Sequence, residues 1–237
     1  MVINEAIILA GGLGTRLRSA VPDLPKCMAP VNGKPFIAYV INHLQKQGIE
    51  KLIFSLGYQS EKLVEYLEAY HSHLKSQISN LTFQFVIEEE PLGTGGAIQL
   101  ACSKATAENV IATNGDTLFK VNLDKLSATH QQYKSECTLC LKPMQNFDRY
   151  GVVELNETNT IISFKEKQLY ETGLINGGVY ALNVASFLQK SFTEKFSFEK
   201  DYLEKFYVDG TMYGCIQDEY FVDIGIPEDY SRAQQEL

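Results

Sequence analysis

The run Ile7-Ile8-Leu9-Ala10-Gly11-Gly12-Leu13-Gly14-Thr15-Arg16-Leu17, with Pro25-Lys26 downstream, carries an apolar strand straight into a turn with three glycines and an arginine. Glycine lacks the Cβ that keeps an anion from backbone N–H groups, and it accepts the positive φ values such turns use. Thr15 adds a hydroxyl, and Arg16 and Lys26 add two cations. The segment reads as a cradle for a polyphosphate. A glycine-rich turn alone is equally an ordinary strand-to-loop connection; the cations in an otherwise apolar stretch favour phosphate.

Two other phosphate fingerprints are excluded. A dinucleotide site needs G-x-G-x-x-G and an acidic residue closing the second strand to hold the ribose. After Gly12 and Gly14 the third position is Leu17, and Leu52-Ile53-Phe54-Ser55-Leu56-Gly57 ends without an acid. The P-loop pattern, four residues between glycines and then Lys-Ser or Lys-Thr, does not occur.

Two aspartates follow strand-like apolar runs, Asp116 after Val110-Ile111-Ala112 and Asp223 after Phe221-Val222. Ligands of α/β sheets collect at strand ends, and two carboxylates with phosphate oxygens and water suit Mg²⁺. Asn114-Gly115-Asp116 is also good turn chemistry, as is an aspartate shortly before a glycine, so capping stays open for each. Lys165-Glu166-Lys167 alternates as a solvated strand face does. Cys137 and Cys140 fall three apart in a strand-like run, where side chains alternate, so they point to opposite faces and cannot readily share a metal. The five cysteines, odd in number and irregularly spaced, read as reduced thiols. His71 and His73 close a polar helix end and His43 and His130 fall on helical patterns; none is assigned chemistry.

The elements that must position these groups alternate between strand and helix periods, the rhythm of a doubly wound sheet. Strands are expected at Glu5 to Ala10, Lys51 to Leu56, Leu81 to Ile87 and Val110 to Thr113. Helices are expected at Phe36 to Gln47, Ser60 to Tyr70, from the second glycine-rich loop through Ala105, and around Leu123 to Tyr133. From Cys137 the pattern turns to extended runs, Cys137 to Lys142, Tyr150 to Leu155, Ile161 to Glu166 and Leu174 to Ala181. These read as antiparallel strands walling the site. Helices at Val184 to Leu188 and Glu199 to Phe206, a strand at Met212 to Gln217 and a helix from Pro227 complete the expectation.

With 237 residues, 45% of them hydrophobic, the chain can build one large α/β core, so residues 1–237 are expected to form a single domain. A net charge of −8 and a pI near 5.1 argue against coating a nucleic acid, which needs basic surface. No stretch approaches the ~20 apolar residues of a membrane span, and Met1-Val2-Ile3-Asn4-Glu5 lacks a basic secretory segment, so a cytoplasmic protein without a membrane partner is expected. No oligomeric state is readable, and a homodimer stays open.

The pattern G-G-x-G-T-R-L with its downstream P-K resembles the start of the sugar-1-phosphate nucleotidylyltransferases, the NDP-sugar pyrophosphorylases. Five further segments follow in that family's order: Pro91-Leu92-Gly93-Thr94-Gly95-Gly96-Ala97, Asn114-Gly115-Asp116, Phe164-Lys165-Glu166-Lys167, Asn176-Gly177-Gly178-Val179-Tyr180 and Val222-Asp223-Ile224-Gly225. The resemblance implies a Rossmann-like doubly wound mixed sheet of the nucleotide-diphospho-sugar transferase type. Residues 1–135 would be its nucleotide half and 136–237 its sugar half. It implies a nucleoside triphosphate and a sugar 1-phosphate as substrates, a nucleotide sugar and pyrophosphate as products, and Mg²⁺ held by Asp116 and Asp223. Arg16 and Lys26 would meet the triphosphate, and Glu88, Pro91, Gly93, Thr94 and Gly115 would line the nucleotide. Lys167 would take the sugar phosphate, with Tyr150, Gly151, Glu166, Asn176 and Gly177 around the sugar.

Glu166 and Lys167 lie on opposite faces of a regular strand, so those roles imply a bend or strand end there. A phosphate monoester, with its second pKa near ~6, is already largely dianionic at neutral pH and needs no general base. Catalysis would then rest on positioning and charge neutralisation. Within the family, Pro30 to Phe36, the Pro91 loop, Phe196 to Asp201 and Asp223 to Pro227 most resemble the branch that joins GTP to D-glycero-α-D-manno-heptose 1-phosphate. Thymidylyl- and uridylyltransferases, mannose 1-phosphate guanylyltransferases and a non-catalytic nucleotide-sugar regulator stay open. Cys27, Gln168 and Ile226 depart from the usual family residues, and none removes a charged group.

Overall fold

The computed structural model describes residues 3–12, 17, 21, 24–75 and 80–237. The strands before residue 135 are β1 (Glu5–Ala10), the two-residue pair β2 (Pro30–Val31) and β3 (Lys34–Pro35), β4 (Lys51–Leu56), β5 (Thr82–Ile87), β6 (Asn109–Asn114) and β7 (Thr117–Phe119). They alternate with helices α1 (Phe36–Lys46), α2 (Ser60–Lys75), α3 (Gly93–Cys102) and α4 (Leu123–Gln132). There follow β8 (Cys137–Phe147), β9 (Val152–Leu155), β10 (Ile161–Lys165), β11 (Tyr170–Asn183), α5 (Val184–Leu188), α6 (Glu204–Phe206), β12 (Met212–Ile216), β13 (Phe221–Asp223) and α7 (Pro227–Glu236).

Among the described residues nine strands form one sheet, in the order β10-β9-β11-β6-β1-β4-β5, with β8 and then β12 branching from β11. The strands β6, β1, β4 and β5 are mutually parallel, and β11 lies antiparallel to β6. The strands after residue 136 therefore extend the parallel sheet, as strands added to that core. Strand alternation sends successive side chains to opposite faces. Ala6, Ile8, Ala10, Leu52, Phe54 and Leu56 pack under α1, α2, α4 and α7, while Ile7, Ile53, Val110 and Ala112 pack under α3 and α5. The doubly wound arrangement follows from that division. Helix α1 buries Phe36, Ile37, Val40, Ile41 and Leu44, a stripe at helical spacing, each side chain contributing about 2 kcal/mol. Cys140 lies in the first layer and Cys137 in the second, so the two thiols do face opposite ways.

Several boundaries differ from the sequence expectation. Helix α2 runs on to Lys75, so His71 lies within it, its Nε2 2.8 Å from the Leu81 carbonyl and its ring stacked on Phe83. Helix α3 stops at Cys102 rather than reaching Ala105. The helix expected at Glu199 to Phe206 is instead a π-helical turn over Phe198–Leu203, followed by the short α6. The antiparallel ribbon of β7 and β13 was not expected, because three-residue strands carry too little period to be read.

Two irregularities shape the cleft. Tyr180 to Leu182 pair with β6 on one edge of β11 and with β8 on the other, whereas Ile175 pairs with β9 on the edge that β6 has left. Between them the β8 register shifts. Gly178 sits there at φ 71°, and a Cβ on it would lie 2.7 Å from Asn114 Nδ2. Only glycine fits both demands.

Candidate functional site

The β7–β13 ribbon explains how two aspartates more than a hundred residues apart meet. Its register pairs Asp223 with Thr117, the residue after Asp116, and the Ile224 N–H donates to the Asp116 carbonyl at 3.1 Å. Lys26, on the 3₁₀ turn Lys26–Met28, then reaches both carboxylates: its Nζ lies 2.6 Å from Asp116 Oδ2 and 3.3 Å from Asp223 Oδ1. Burial opposes the charge on Lys26, but the Asp116 and Asp223 carboxylates outweigh it and hold the ammonium pKa above the usual lysine range. Asp223 Oδ1 also accepts the Gly225 N–H at 2.8 Å.

The glycine segment abuts this cluster from β1. Gly115 N–H donates to the Leu9 carbonyl at 2.8 Å, and a Cβ on Gly115 would sit 3.3 Å from the Ile8 side chain and 3.5 Å from Ala10 Cβ. Leu9 and Ala10 thus stand beside Gly115 at the carboxyl ends of β1 and β6, and Gly11 and Gly12 follow them in the chain. Gly14, Thr15 and Arg16 lie outside the described residues. On the other side of Gly11 stands Glu88, at the end of β5: its Oε1 would be 2.6 Å from a Cβ on Gly11, and its Oε2 accepts the Leu92 N–H at 3.0 Å. Pro91 and Gly93 follow in that loop. Gly93 has φ 75° and presses on the Phe196 carbonyl, 2.5 Å from where its Cβ would be. The Thr94 hydroxyl is already engaged, donating to Glu199 at 2.7 Å and accepting the Phe198 N–H at 2.9 Å.

Beside the carboxylates opens a cleft of about 680 Å³. Tyr150, Gly151, Glu166, Lys167, Asn176, Gly177 and Asp223 all line it. Strand β10 ends at Lys165, so Glu166 and Lys167 have left the alternation of the strand and both reach the cleft. Burial and the Asp223 carboxylate push the Tyr150 phenol up, which keeps it protonated and able to donate. Asn176 Nδ2 donates to the Tyr180 hydroxyl at 2.9 Å, and its Oδ1 accepts the Gly178 N–H at 3.0 Å.

Lys26 and Asp116 are therefore joined through Asp223 to the cleft lined by Tyr150, Gly151, Glu166, Lys167, Asn176 and Gly177, with β1 and its glycine segment beside Gly115 and Glu88 against Gly11. Sequence reasoning gave no site role to Thr117, Tyr180, Ser197, Glu199 or Lys200, which also line the cleft. The last three lie in the Phe196 to Asp201 segment named for its resemblance, and there Ser197 Oγ accepts the Lys200 N–H and Asp201 accepts the Ser197 N–H.

A Rossmann-like sheet with glycine segment, strand-end carboxylates and polar cleft is the architecture of nucleotidyl-group transfer, and the chain belongs to the nucleotidyl transferase family, whose model matches residues 5–237. Among its relatives, the D-glycero-alpha-D-manno-heptose 1-phosphate guanylyltransferase of Aneurinibacillus thermoaerophilus is 51% identical over 98% of this chain and 98% of its own length. The protein of that description from Campylobacter jejuni is 44% identical over 95% of this chain and 96% of its own. The crystal structure of HddC from Yersinia pseudotuberculosis complexed with GMP-PN superposes with a TM-score of 0.84 at 36% identity, covering 100% of this chain and 99% of that one. No helix among the described residues is long and apolar enough to cross a membrane.

Proposed function

We propose that this protein transfers GMP from GTP to D-glycero-α-D-manno-heptose 1-phosphate, releasing pyrophosphate and forming a GDP-heptose. The observation that carries the reading is the contiguity, through Asp223, of the Lys26–Asp116–Asp223 cluster with a cleft of about 680 Å³ lined by Tyr150, Glu166, Lys167 and Asn176. The substrate identities rest on similarity to the heptose guanylyltransferases and to HddC. In the reaction an oxygen of the sugar phosphate attacks the α-phosphorus, the bond to the bridging oxygen breaks, and pyrophosphate departs in line. Both partners are anions, so the protein's task is to place them and offset their charge.

Lys26 and Arg16 would face the triphosphate, Arg16 gripping two oxygens of the departing pyrophosphate with its planar guanidinium. Lys167, at the cleft, would hold the sugar phosphate. Tyr150, Gly151, Glu166, Asn176 and Gly177 would orient the hydroxyls, and Glu88, Pro91, Gly93, Thr94 and Gly115 would frame the nucleotide. A divalent cation fits the donor set. Two carboxylates already share one cation, the Lys26 ammonium, and among the described residues no group of three or more His, Cys, Asp and Glu side chains forms a complete cage. That combination suits Mg²⁺, which takes one or two carboxylates and keeps places for phosphate and water. Asp116 and Asp223 would hold it, and when bound it supplies positive charge at the triphosphate.

The test is pyrophosphate release from GTP, UTP, dTTP and ATP with heptose, mannose and glucose 1-phosphates, with and without Mg²⁺. The expected result is turnover with GTP and the heptose phosphate that chelation abolishes. Turnover confined to another nucleotide or sugar would displace the substrate assignment, and binding without any turnover would make this a nucleotide-sugar sensor.

A further inference from the structure

One wall of the cleft is built from the π-helical turn Phe198–Leu203, which contributes Glu199, Lys200 and Leu203 to the lining. Such turns take an extra residue and need outside support. Here the support comes from both sides. Phe198 and Tyr202 pack into an aromatic cluster with Phe187, their rings 5.7 and 4.9 Å from it, and Phe198 meets Tyr180 at 4.9 Å. The Ser197 side chain caps the turn, and the Thr94 hydroxyl accepts its first N–H.

Glu199 is held within that frame. One oxygen, Oε2, accepts from Thr94 Oγ1 at 2.7 Å and from Ser197 Oγ at 2.9 Å. Neither bond involves Oε1, and the residue lines the cleft half-buried. A carboxylate fixed in this way repels phosphate and accepts from hydroxyl groups. The same cleft is lined by Lys167, Tyr150, Glu166 and Asn176, the residues proposed for the sugar phosphate, so the partner of Glu199 is an uncharged, hydroxyl-bearing part of that substrate. This inference rests on the proposed sugar-phosphate reading of the cleft and deepens it. We propose that Glu199 is the sugar-selecting residue, accepting hydroxyl donors from the part of the sugar remote from C1, where a heptose and a hexose differ. Thr94, through the same carboxylate, ties this wall to the first turn of α3 and the loop before it.

The experiment compares kcat/KM for D-glycero-α-D-manno-heptose 1-phosphate and mannose 1-phosphate, at saturating GTP and Mg²⁺, in the unaltered protein and in Glu199→Gln and Glu199→Ala. The Gln variant keeps the size of the side chain and one acceptor, which protects the fold if the Ala variant does not survive; thermal melting reports on that. Loss of a charge-assisted hydrogen bond to a hydroxyl should reduce the heptose-over-mannose ratio by roughly 10- to 100-fold. The KM for GTP should stay within about twofold. An equal loss for both sugars, or a rise in the KM for GTP with the ratio unchanged, would overturn the assignment and leave Glu199 as a strut for Thr94. Unaltered protein that preferred the heptose beside a Gln variant with the same preference would sink this assignment alone. Unaltered protein that turned over neither sugar would sink the substrate reading first, and the assignment with it.

Discussion

At the scale of single residues, the side chain with most at stake is Asp223. Its Oδ1 meets Lys26 and also accepts the Gly225 N–H, so Asp223→Asn keeps an acceptor for the backbone while removing the charge. Turnover should fall by two orders of magnitude or more, with far-UV circular dichroism and melting temperature close to the parent; near-normal turnover would remove Asp223 from the proposed metal site. Apolar runs marked Asp116 and Asp223 as strand-end residues, while their role as a metal pair came from the family resemblance, since turn capping fits the local sequence equally well. What lay beyond reach was the company they keep. Nothing local to Lys26 announces that its ammonium stands between two carboxylates, and nothing local to Thr94 announces that its hydroxyl is bound to Glu199. Those pairings depend on which distant segments are brought together, which one-dimensional spacing does not record.

At the scale of elements, α4 is fastened to the sheet by a buried histidine. His130 Nδ1 lies 2.9 Å from Thr138 Oγ1 on β8, and Nε2 lies 3.0 Å from Asn109 Oδ1 on β6. Burial lowers its pKa from 6.5 to about 4. The unfolded chain therefore binds the extra proton between those values while the folded protein does not. The contribution of this residue to stability is complete above about pH 6.5 and is lost as the pH falls towards 4, by about 3 kcal/mol. Chemical denaturation at pH 7.5 and pH 4.5 should show that loss, and His130→Gln should lose less over the same interval. A variant whose stability fell as steeply as the parent's would assign the acid sensitivity to other groups. Long elements such as β1, α1 and β4 were legible because burial on one or both faces imposes a period on the sequence. The β7–β13 ribbon, three residues on each side, and the π-helical turn were not. The first is too short for a period, and the apolar residues of the second satisfy an ordinary helix equally well.

At the scale of the whole molecule, the sequence pattern marks where parallel strands give way to antiparallel ones but not where the later strands dock. They join the first sheet through β11, which pairs with β6 at one end and with β9 at the other along the same edge. The gap between those pairings, at Asn176 to Gly178, faces the cleft, so cleft lining and sheet continuity are carried by the same strand. A ligand that bridges the cleft couples both halves. Saturating GTP with Mg²⁺ at about 100 times the dissociation constant should stabilise the fold by about 2.7 kcal/mol, a rise of roughly 5–10 °C in melting temperature for a chain of this size. A thermal-shift titration would show it, and absence of a shift with GTP beside a clear one with UTP would redirect the nucleotide assignment.

The reach of Lys26 has a further consequence for how the protein comes into being. Its two carboxylate partners lie 90 and 197 positions along the chain. During synthesis the ribosome releases the strands of the parallel sheet long before residue 223 emerges. The nascent polypeptide can begin to form that sheet while the Lys26 ammonium has met at most one of its partners, and the three-residue cluster closes as a late step of translation rather than growing in proportion to the length already made.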